Sequence, residues 1–157
     1  MIQKNLIDHI VPAVYNGNIL TDYMVDRRNG DIYSLCGTYI KRLKWQHRNR
    51  QNPKVSYPCM RFRDRDAFPY QYENRLTVNI HIIIHESLTP LPQLPGVTDE
   101  EWAITPDSVK AATRGCWIVN HKDHNKLNFH PSNLEWVFGA KENAQRAREF
   151  YANQLYK

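Results

Sequence analysis

The sequence has few cysteines and no long hydrophobic run. Its three cysteines, Cys36, Cys59 and Cys116, are odd in number and widely spaced, which argues against a disulfide framework or a zinc knuckle. Free thiols fit a reducing compartment, so we expect a cytoplasmic protein. The longest aliphatic run covers only residues 82–84, and the N-terminus carries no basic segment followed by an apolar one. We therefore expect no membrane segment.

Acidic residues are missing from one stretch of an otherwise mixed sequence. Residues 38–63 contain eight lysines or arginines and no aspartate or glutamate, and the whole chain has a formal net charge of +5. Aromatic residues such as Trp45 are interleaved with these cations. Such a composition suits a phosphate backbone, with aromatic rings stacking on bases or sugars. On its own the run fits a solvated protein surface equally well.

Short alternating segments separated by turn residues predict β-hairpins in the first half of the chain. Asn29-Gly30, between two apolar runs, is a strong hairpin signal. Residues 57–63 and 75–81 predict a second hairpin, and residues 1–20 predict only a short lead-in element. From His81 the chain is expected to pass into a helix beneath a later hairpin. A structural role for His81 is favoured over a catalytic one.

Three prolines between residues 89 and 97 predict a stiff connector. The residues from Thr98 to Glu101 have the pattern of a capping box, which predicts the start of a helix. Pro106 is expected to interrupt that helix, and a further turn is predicted from residue 107 to 113. Trp102 is expected to anchor the connector to the core.

The second half of the chain carries an ordered set of polar residues between two apolar strands. Residues 116–119 and 134–138 have strand composition, whereas residues 120–133 are almost entirely polar. From Ala140 onward helix-forming residues dominate. Apolar positions recur at spacings of three and four, as expected for one face of a helix.

Four short runs within this region resemble a known nuclease motif. They are Val119-Asn120-His121-Lys122-Asp123, Asn125-Lys126-Leu127-Asn128, Asn133-Leu134-Glu135-Trp136-Val137 and Glu142-Asn143. Together they resemble the HNH motif of phage and intron-encoded homing endonucleases, over about residues 116–150. The resemblance implies a β-hairpin and a helix that hold one divalent ion, Mg²⁺ or Mn²⁺.

The resemblance also implies a role for each matching residue. His121 corresponds to the general base, Asn133 to the residue that braces the loop, and Asn120 and Asn143 to the metal ligands. One additional residue near Gly139 leaves open whether Asn143 or a neighbour faces the metal. His124 stands where glycine is usual in this subgroup, so we expect it to adopt a positive φ.

The chemistry of phosphodiester hydrolysis accounts for these residue types. The reaction needs a base for the attacking water and a cation for the developing charge. Histidine, with an ordinary pKa of about 6.5, is suited to the first task. Amide oxygens, as in Asn120, suit a hard cation such as Mg²⁺. Because neighbours in a strand point to opposite faces, Asn120 and His121 converge only where the strand ends and the backbone turns.

With a nuclease motif downstream, contact with DNA becomes the favoured interpretation of the basic stretch. The candidate DNA-binding residues are Arg42, Lys44, Trp45, Arg48, Arg50, Lys54, Arg61 and Arg63. The sequence thus predicts an α+β protein with three parts. These are a basic module rich in β-hairpins (residues 1–88), a proline-rich connector with a short helix (89–115) and a ββα-metal (HNH) motif (116–157).

The expected function is that of a metal-dependent DNA endonuclease that nicks its substrate, or cuts both strands as a dimer. If the enzyme is encoded by a phage, it would act in the cytoplasm of the host. One alternative is a DNA-binding protein that keeps the scaffold without catalysis, because the proposed ligands Asn120 and Asn143 are both neutral. Another is a nuclease specific for RNA or branched DNA.

Overall fold

The chain forms three antiparallel sheets accompanied by a few short helices. The computed structural model describes residues 4–53, 56–139 and 149. The first sheet has the order β1-β2-β3-β4, with strands Ile10–Tyr15, Asn18–Asp26, Ile32–Ser34 and Lys41–Arg42. The second has the order β5-β6-β7, with strands Gln46–His47, Pro58–Arg63 and Arg75–Asn79. The third is a hairpin of β8, Trp117–His121, and β9, Leu134–Phe138. The α+β class predicted from the sequence is confirmed.

Four α-helices lie within the described residues. They are α1 (Lys4–Ile7), α2 (Ile80–Leu88), α3 (Asp99–Ile104) and α4 (Asp107–Ala112). Short 3₁₀ turns occur at Tyr72–Asn74, Thr113–Cys116 and Pro131–Asn133. Across this part of the chain, no helix has the length and apolar character needed to traverse a bilayer. The helix predicted from Ala140 onward, which includes Asn143, lies outside the described residues except for residue 149, and Lys54 lies outside them too.

Both hairpins predicted in the first half of the chain are confirmed. Strands β2 and β3 pair around the Asn29-Gly30 turn, and β7 pairs with β6 along the whole length of β7. The prediction of a mere lead-in element for residues 1–20 is wrong, because β1 pairs with β2 from Ile10 to Tyr15. Pro12 is compatible with this strand since β1 lies at the edge of its sheet, next to an irregularity in the register.

Helix α2 forms the centre of the hydrophobic core. Its residues Ile80, Ile83 and Ile84 are almost completely buried. They belong to one cluster with Leu20 of the first sheet, Phe62 of the second, and further side chains from the β8–β9 hairpin. The predicted passage from a strand into a helix at His81 is confirmed, since β7 ends at Asn79 and α2 begins at the next residue.

The connector between α2 and β8 carries the predicted capping box. The Thr98 hydroxyl accepts from the Glu101 amide at 3.2 Å, and the Glu101 carboxylate accepts from the Thr98 amide at 2.9 Å. Contrary to the prediction, Trp102 is not part of the hydrophobic core. It is half-buried, with the Lys110 ammonium 5.5 Å from the centre of its ring. A salt bridge of 3.1 Å between Arg114 and Glu86 ties the end of the connector to α2.

Gly30 brings the first sheet close to both α2 and the polar loop of the β8–β9 hairpin. Its φ is +77°, and a β-carbon at this position would lie 3.1 Å from Ile84 Cδ1 and 3.3 Å from Pro131 Cδ. Gly17 has a similar φ of +79°, but nothing lies within 4 Å of the corresponding position. The two glycines therefore share one conformational requirement and differ in their surroundings.

We expect Gly30→Ala to destabilise the protein by about 1–3 kcal/mol more than Gly17→Ala. Both variants incur the cost of a left-handed conformation, about 1–2 kcal/mol, but only Gly30→Ala forces packed neighbours to move. The measurement is the free energy of unfolding from urea titrations of both variants. Equal losses would show that Ile84 and Pro131 accommodate the additional methyl group.

Candidate active site

The β8–β9 hairpin presents its polar residues on two opposite faces. Asn120 lies directly across from Glu135, and His121 lies across from Leu134. His121 is on the face that packs against α2, whereas Asn120 and Glu135 are on the other face, as the alternation of a strand requires. Strand β8 ends at His121, so both candidate residues lie where the strand gives way to the polar loop.

His121 is buried among aromatic and imidazole rings. Only 4% of its surface is exposed, and its ring centre lies 4.6 Å from that of His81 and 6.0 Å from that of Tyr57. Its Nε2 atom is buried and has no hydrogen-bond partner among the described residues. Buried polar atoms are nearly always paired with protein or water, so this nitrogen marks a place for a polar group.

Burial keeps the imidazoles of this region neutral at physiological pH. Desolvation lowers the pKa of His121 to about 4. It lowers the pKa of His81 to about 3, with a further contribution from repulsion by His121. A neutral imidazole has an unprotonated nitrogen that accepts a proton, which is the state that a general base needs.

Asn133 holds the polar loop together from its far end. Its Oδ1 accepts from the Asp123 amide at 3.2 Å, and its Nδ2 donates to Asp123 Oδ1 at 2.8 Å and to the Asn128 carbonyl at 2.7 Å. Burial raises the pKa of the Asp123 carboxyl, but the hydrogen bonds donated to it outweigh that effect, so its pKa lies below the usual value. This side-chain network is consistent with the bracing role expected of Asn133.

His124 adopts the positive φ expected for its position in the loop. The angle is +59°, in the left-handed region where glycine is usual and where most side chains are strained. The His124 amide donates to the His121 carbonyl at 3.0 Å. The turn that follows β8 is therefore tight.

The Asn120 amide makes a hydrogen bond to the residue opposite. Its Nδ2 donates to Glu135 Oε1 at 3.1 Å, and both side chains are half-buried. The sequence motif includes Glu135, but sequence reasoning assigned it no role. The signal that would have revealed it is the strand register, which depends on where the intervening loop begins and ends.

The oxygen donors near Asn120 fit a hard divalent cation. Amide and carboxylate oxygens are the ligands that Mg²⁺ and Mn²⁺ prefer. Within the described ranges no group of three or more histidine, cysteine, aspartate or glutamate residues is arranged to hold a metal. A site at Asn120 would therefore need ligands of another kind, such as further amides or water, and the second predicted ligand, Asn143, lies outside the described residues.

The predicted DNA-binding residues fall into two classes. Some use their charge within the protein: Arg42 forms a salt bridge of 2.9 Å with Asp31, and Arg48 donates to Asn79 Oδ1 at 2.9 Å and to the Thr77 carbonyl at 2.8 Å. Others are exposed, and within the described residues their side chains form no ion pair or hydrogen bond. This second class consists of Lys44, Arg61 and Arg63. Arg50 is exposed too and donates to Gln46 Oε1 at 2.5 Å.

Arg61 and Arg63 lie on one solvent-exposed face of the second sheet. They alternate with the buried Phe62, and Arg63 is directly opposite Arg75 of β7. Like charges placed across a strand pair are destabilising, although Arg75 is partly neutralised by a salt bridge of 2.9 Å with Glu73. Such an arrangement becomes favourable when a polyanion covers the face.

Aromatic contacts connect the basic stretch to the β8–β9 hairpin. Trp45, which is 39% exposed, lies with its ring centre 6.0 Å from that of Phe129 in the polar loop. Tyr57 lies beside His121, and the Lys126 ammonium is 4.6 Å from the centre of the Tyr57 ring. The basic stretch and the candidate catalytic residues therefore border one another.

Comparisons with models of protein families, with curated proteins and with solved structures found no match to this chain. Function is therefore inferred from the chemistry and geometry of the residues described above.

We expect Asn133→Ala to loosen the polar loop and to accelerate hydrogen exchange of the Asp123 amide. The substitution removes three hydrogen bonds, each worth about 0.5–1.5 kcal/mol. Asn125→Ala is the matched control, since among the described residues the Asn125 side chain makes a local hydrogen bond, which it accepts from the Leu127 amide at 3.0 Å. Unchanged protection of the Asp123 amide in Asn133→Ala would remove Asn133 from the bracing role.

Proposed function

We propose that this protein is a metal-dependent endonuclease of the HNH type that hydrolyses phosphodiester bonds in DNA, most simply as a nickase. The observation that supports this proposal best is the environment of His121. A buried, neutral imidazole ends strand β8, and its Nε2 atom has no hydrogen-bond partner in the part of the chain that the structure describes. The adjoining loop is held in place by Asn133. This combination supplies a base whose position is fixed before substrate arrives.

In the proposed reaction His121 removes a proton from the attacking water. Its lowered pKa keeps the imidazole unprotonated at neutral pH, and the charge of Asp123 offsets part of the desolvation that weakens it as a base. The ring contacts with His81 and Tyr57 restrict its orientation. The position of the ring also depends on the turn after β8, which the hydrogen bonds between Asn133 and Asp123 stabilise.

The candidate metal site lies one residue away from His121, at Asn120. A bound divalent cation would stabilise negative charge on the phosphate and on the leaving oxygen. The Asn120 amide oxygen would be one of its ligands, with Asn143 proposed as another from the sequence. Because neither amide carries a charge, we expect weak metal binding in the absence of DNA.

The exposed arginines of the second sheet would bind the phosphate backbone. Arg61 and Arg63 project from the same face of β6, while Trp45, the neighbour of Lys44 in the chain, contacts Phe129 in the polar loop of the hairpin. DNA that contacts both groups would pass the end of strand β8. Cationic contacts of this type position a duplex without reading its sequence.

The direct test is incubation of the protein with supercoiled plasmid in the presence of Mg²⁺ or Mn²⁺. We expect conversion to the relaxed, nicked form, and no conversion when EDTA removes the cation. RNA and branched DNA of matched length are incubated in parallel, since a base and a cation do not by themselves select the sugar or the shape of the substrate. Intact plasmid under all conditions would contradict the nuclease proposal.

One structural observation favours a second candidate function. His121 is almost completely enclosed, and Asn120 projects from the opposite face of the hairpin. A DNA-binding protein that has lost catalysis would show the same features. Such a protein would shift the plasmid in a gel without nicking it at any concentration of Mn²⁺.

We expect His121→Ala to abolish nicking while leaving DNA affinity nearly unchanged. The general base acts only in the transition state, and its contribution to the rate is of order 10² to 10⁴. His130→Ala serves as the control, because His130 is an exposed histidine of the same loop. Initial rates and gel-shift affinities are measured for both variants, with thermal melting to verify folding. A folded His121→Ala protein that keeps more than about a tenth of the rate would exclude His121 as the base.

We expect the double variant Arg61→Gln, Arg63→Gln to reduce the salt dependence of DNA binding. Each lost phosphate contact lowers the slope of log affinity against log salt concentration by about 0.9 on duplex DNA, so the expected change is about 1.8. Arg42→Gln is the comparison variant, since its guanidinium is engaged with Asp31. The slopes are obtained from fluorescence anisotropy at several salt concentrations. An unchanged slope in the double variant would locate the DNA on another face.

A further inference from the structure

We propose that Glu135 is a positioning residue for the candidate metal site, and that its carboxylate orients the Asn120 amide so that Oδ1 faces a divalent cation. The inference rests on the proposed function, because it concerns the cation that the proposed hydrolysis requires. The two residues are paired directly across β8 and β9, and Asn120 Nδ2 donates to Glu135 Oε1 at 3.1 Å.

The hydrogen-bonding capacity of the two groups determines the orientation of the amide. An ionised carboxylate offers only acceptors, and the NH₂ end of an amide offers only donors. Of the two orientations of the Asn120 amide, only the one with Nδ2 toward Glu135 allows a hydrogen bond to the carboxylate. Oδ1 is then on the side of the amide that faces away from the carboxylate. The amide nitrogen cannot serve as a ligand, so the opposite orientation would present the cation with a donor instead of an oxygen.

The location of the pair strengthens this effect. Asn120 and Glu135 are both half-buried on the face of the hairpin that does not pack against α2. Partial burial reduces competition from water, so the hydrogen bond restricts the amide more than it would on an open surface. The carboxylate also contributes negative charge beside the neutral amide of Asn120.

The pair is a poor choice for strand stability alone. Asparagine and glutamate are both depleted in strands, where β-branched and aromatic residues pack better. The neighbouring pairs of the hairpin follow that preference, with Ile118 opposite Val137 and Val119 opposite Trp136. We explain a polar pair at this position, after three pairs of apolar and aromatic residues, by what its oxygen atoms bind.

The experiment is a titration of the full chain with Mn²⁺ in the absence of DNA, with free Mn²⁺ measured by electron paramagnetic resonance. We expect Glu135→Ala to weaken Mn²⁺ binding about 10- to 100-fold, the usual effect of losing a residue that orients a ligand. Glu135→Gln should restore most of the affinity, to within about threefold of wild type, because its amide oxygen still accepts from Asn120 Nδ2 while only the charge is lost. Glu73→Ala and Glu73→Gln are the matched controls, since Glu73 is exposed and paired with Arg75.

Each result decides between the alternatives. One outcome is that the wild-type protein binds Mn²⁺ and nicks plasmid, and that Glu135→Ala binds Mn²⁺ equally well. This outcome would overturn the role of Glu135 and leave the proposed function standing. Equally weak binding by Glu135→Ala and Glu135→Gln, both folded by thermal melting, would show that charge acts without orientation and would also overturn it. If Glu135→Ala does not fold, the Gln variant alone decides, and a loss of more than tenfold there contradicts the inference. Wild-type protein that neither binds Mn²⁺ nor nicks plasmid would overturn both proposals.

Discussion

Burial of helix α2 is the constraint on which the rest of the structure depends. The helix has nine residues, too few to be stable in isolation, so its stability comes from its packing. Ile80, Ile83 and Ile84 are almost fully buried, and each contributes about 1.5–3 kcal/mol by leaving water. Because α2 contacts strands of all three sheets, these isoleucines unite the basic stretch and the β8–β9 hairpin around one core.

The same burial determines the electrostatics of the candidate active site. Helix α2 turns two histidines toward the hairpin, where His81 meets His121 and His85 meets the Trp136 ring at 4.9 Å. Desolvation lowers the pKa of His85 to about 4, and all three imidazoles are neutral at physiological pH. The layer between helix and hairpin is therefore held largely by ring packing. At its edge the Arg114 guanidinium lies 4.8 Å from the centre of the Trp136 ring and forms a salt bridge with Glu86 of α2. In the proposed mechanism this layer provides a neutral base, whose pKa desolvation lowers and the charge of Asp123 raises.

Features that depend on neighbouring residues were predictable from the sequence, and features that depend on distant partners were not. The Asn29-Gly30 turn and the Thr98 capping box are local, and the structure contains both. The division of the basic residues was not predictable, because the salt bridge of Arg42 depends on how β3 and β4 pair. The position of β1 at a sheet edge, which makes its proline acceptable, is likewise a property of the whole sheet. The role of Glu135 was not predictable either, because its pairing with Asn120 follows from the register of the hairpin.

The alternation of side chains along β8 defines how a substrate would approach in the proposed function. His121 and Asn120 are consecutive, so they face opposite sides of the hairpin, and both are accessible to one phosphate only beyond the end of the strand. Residues 122–133 connect the two strands at that end, and the hydrogen bond from the Lys122 amide to the Asn133 carbonyl, 2.8 Å long, closes the loop at its base. His121 and Asn120 both belong to β8, so the rigidity of this loop controls how the end of the strand is presented to a phosphate. That requirement accounts for a loop in which side-chain hydrogen bonds from Asn133 and Asn128 converge on Asp123.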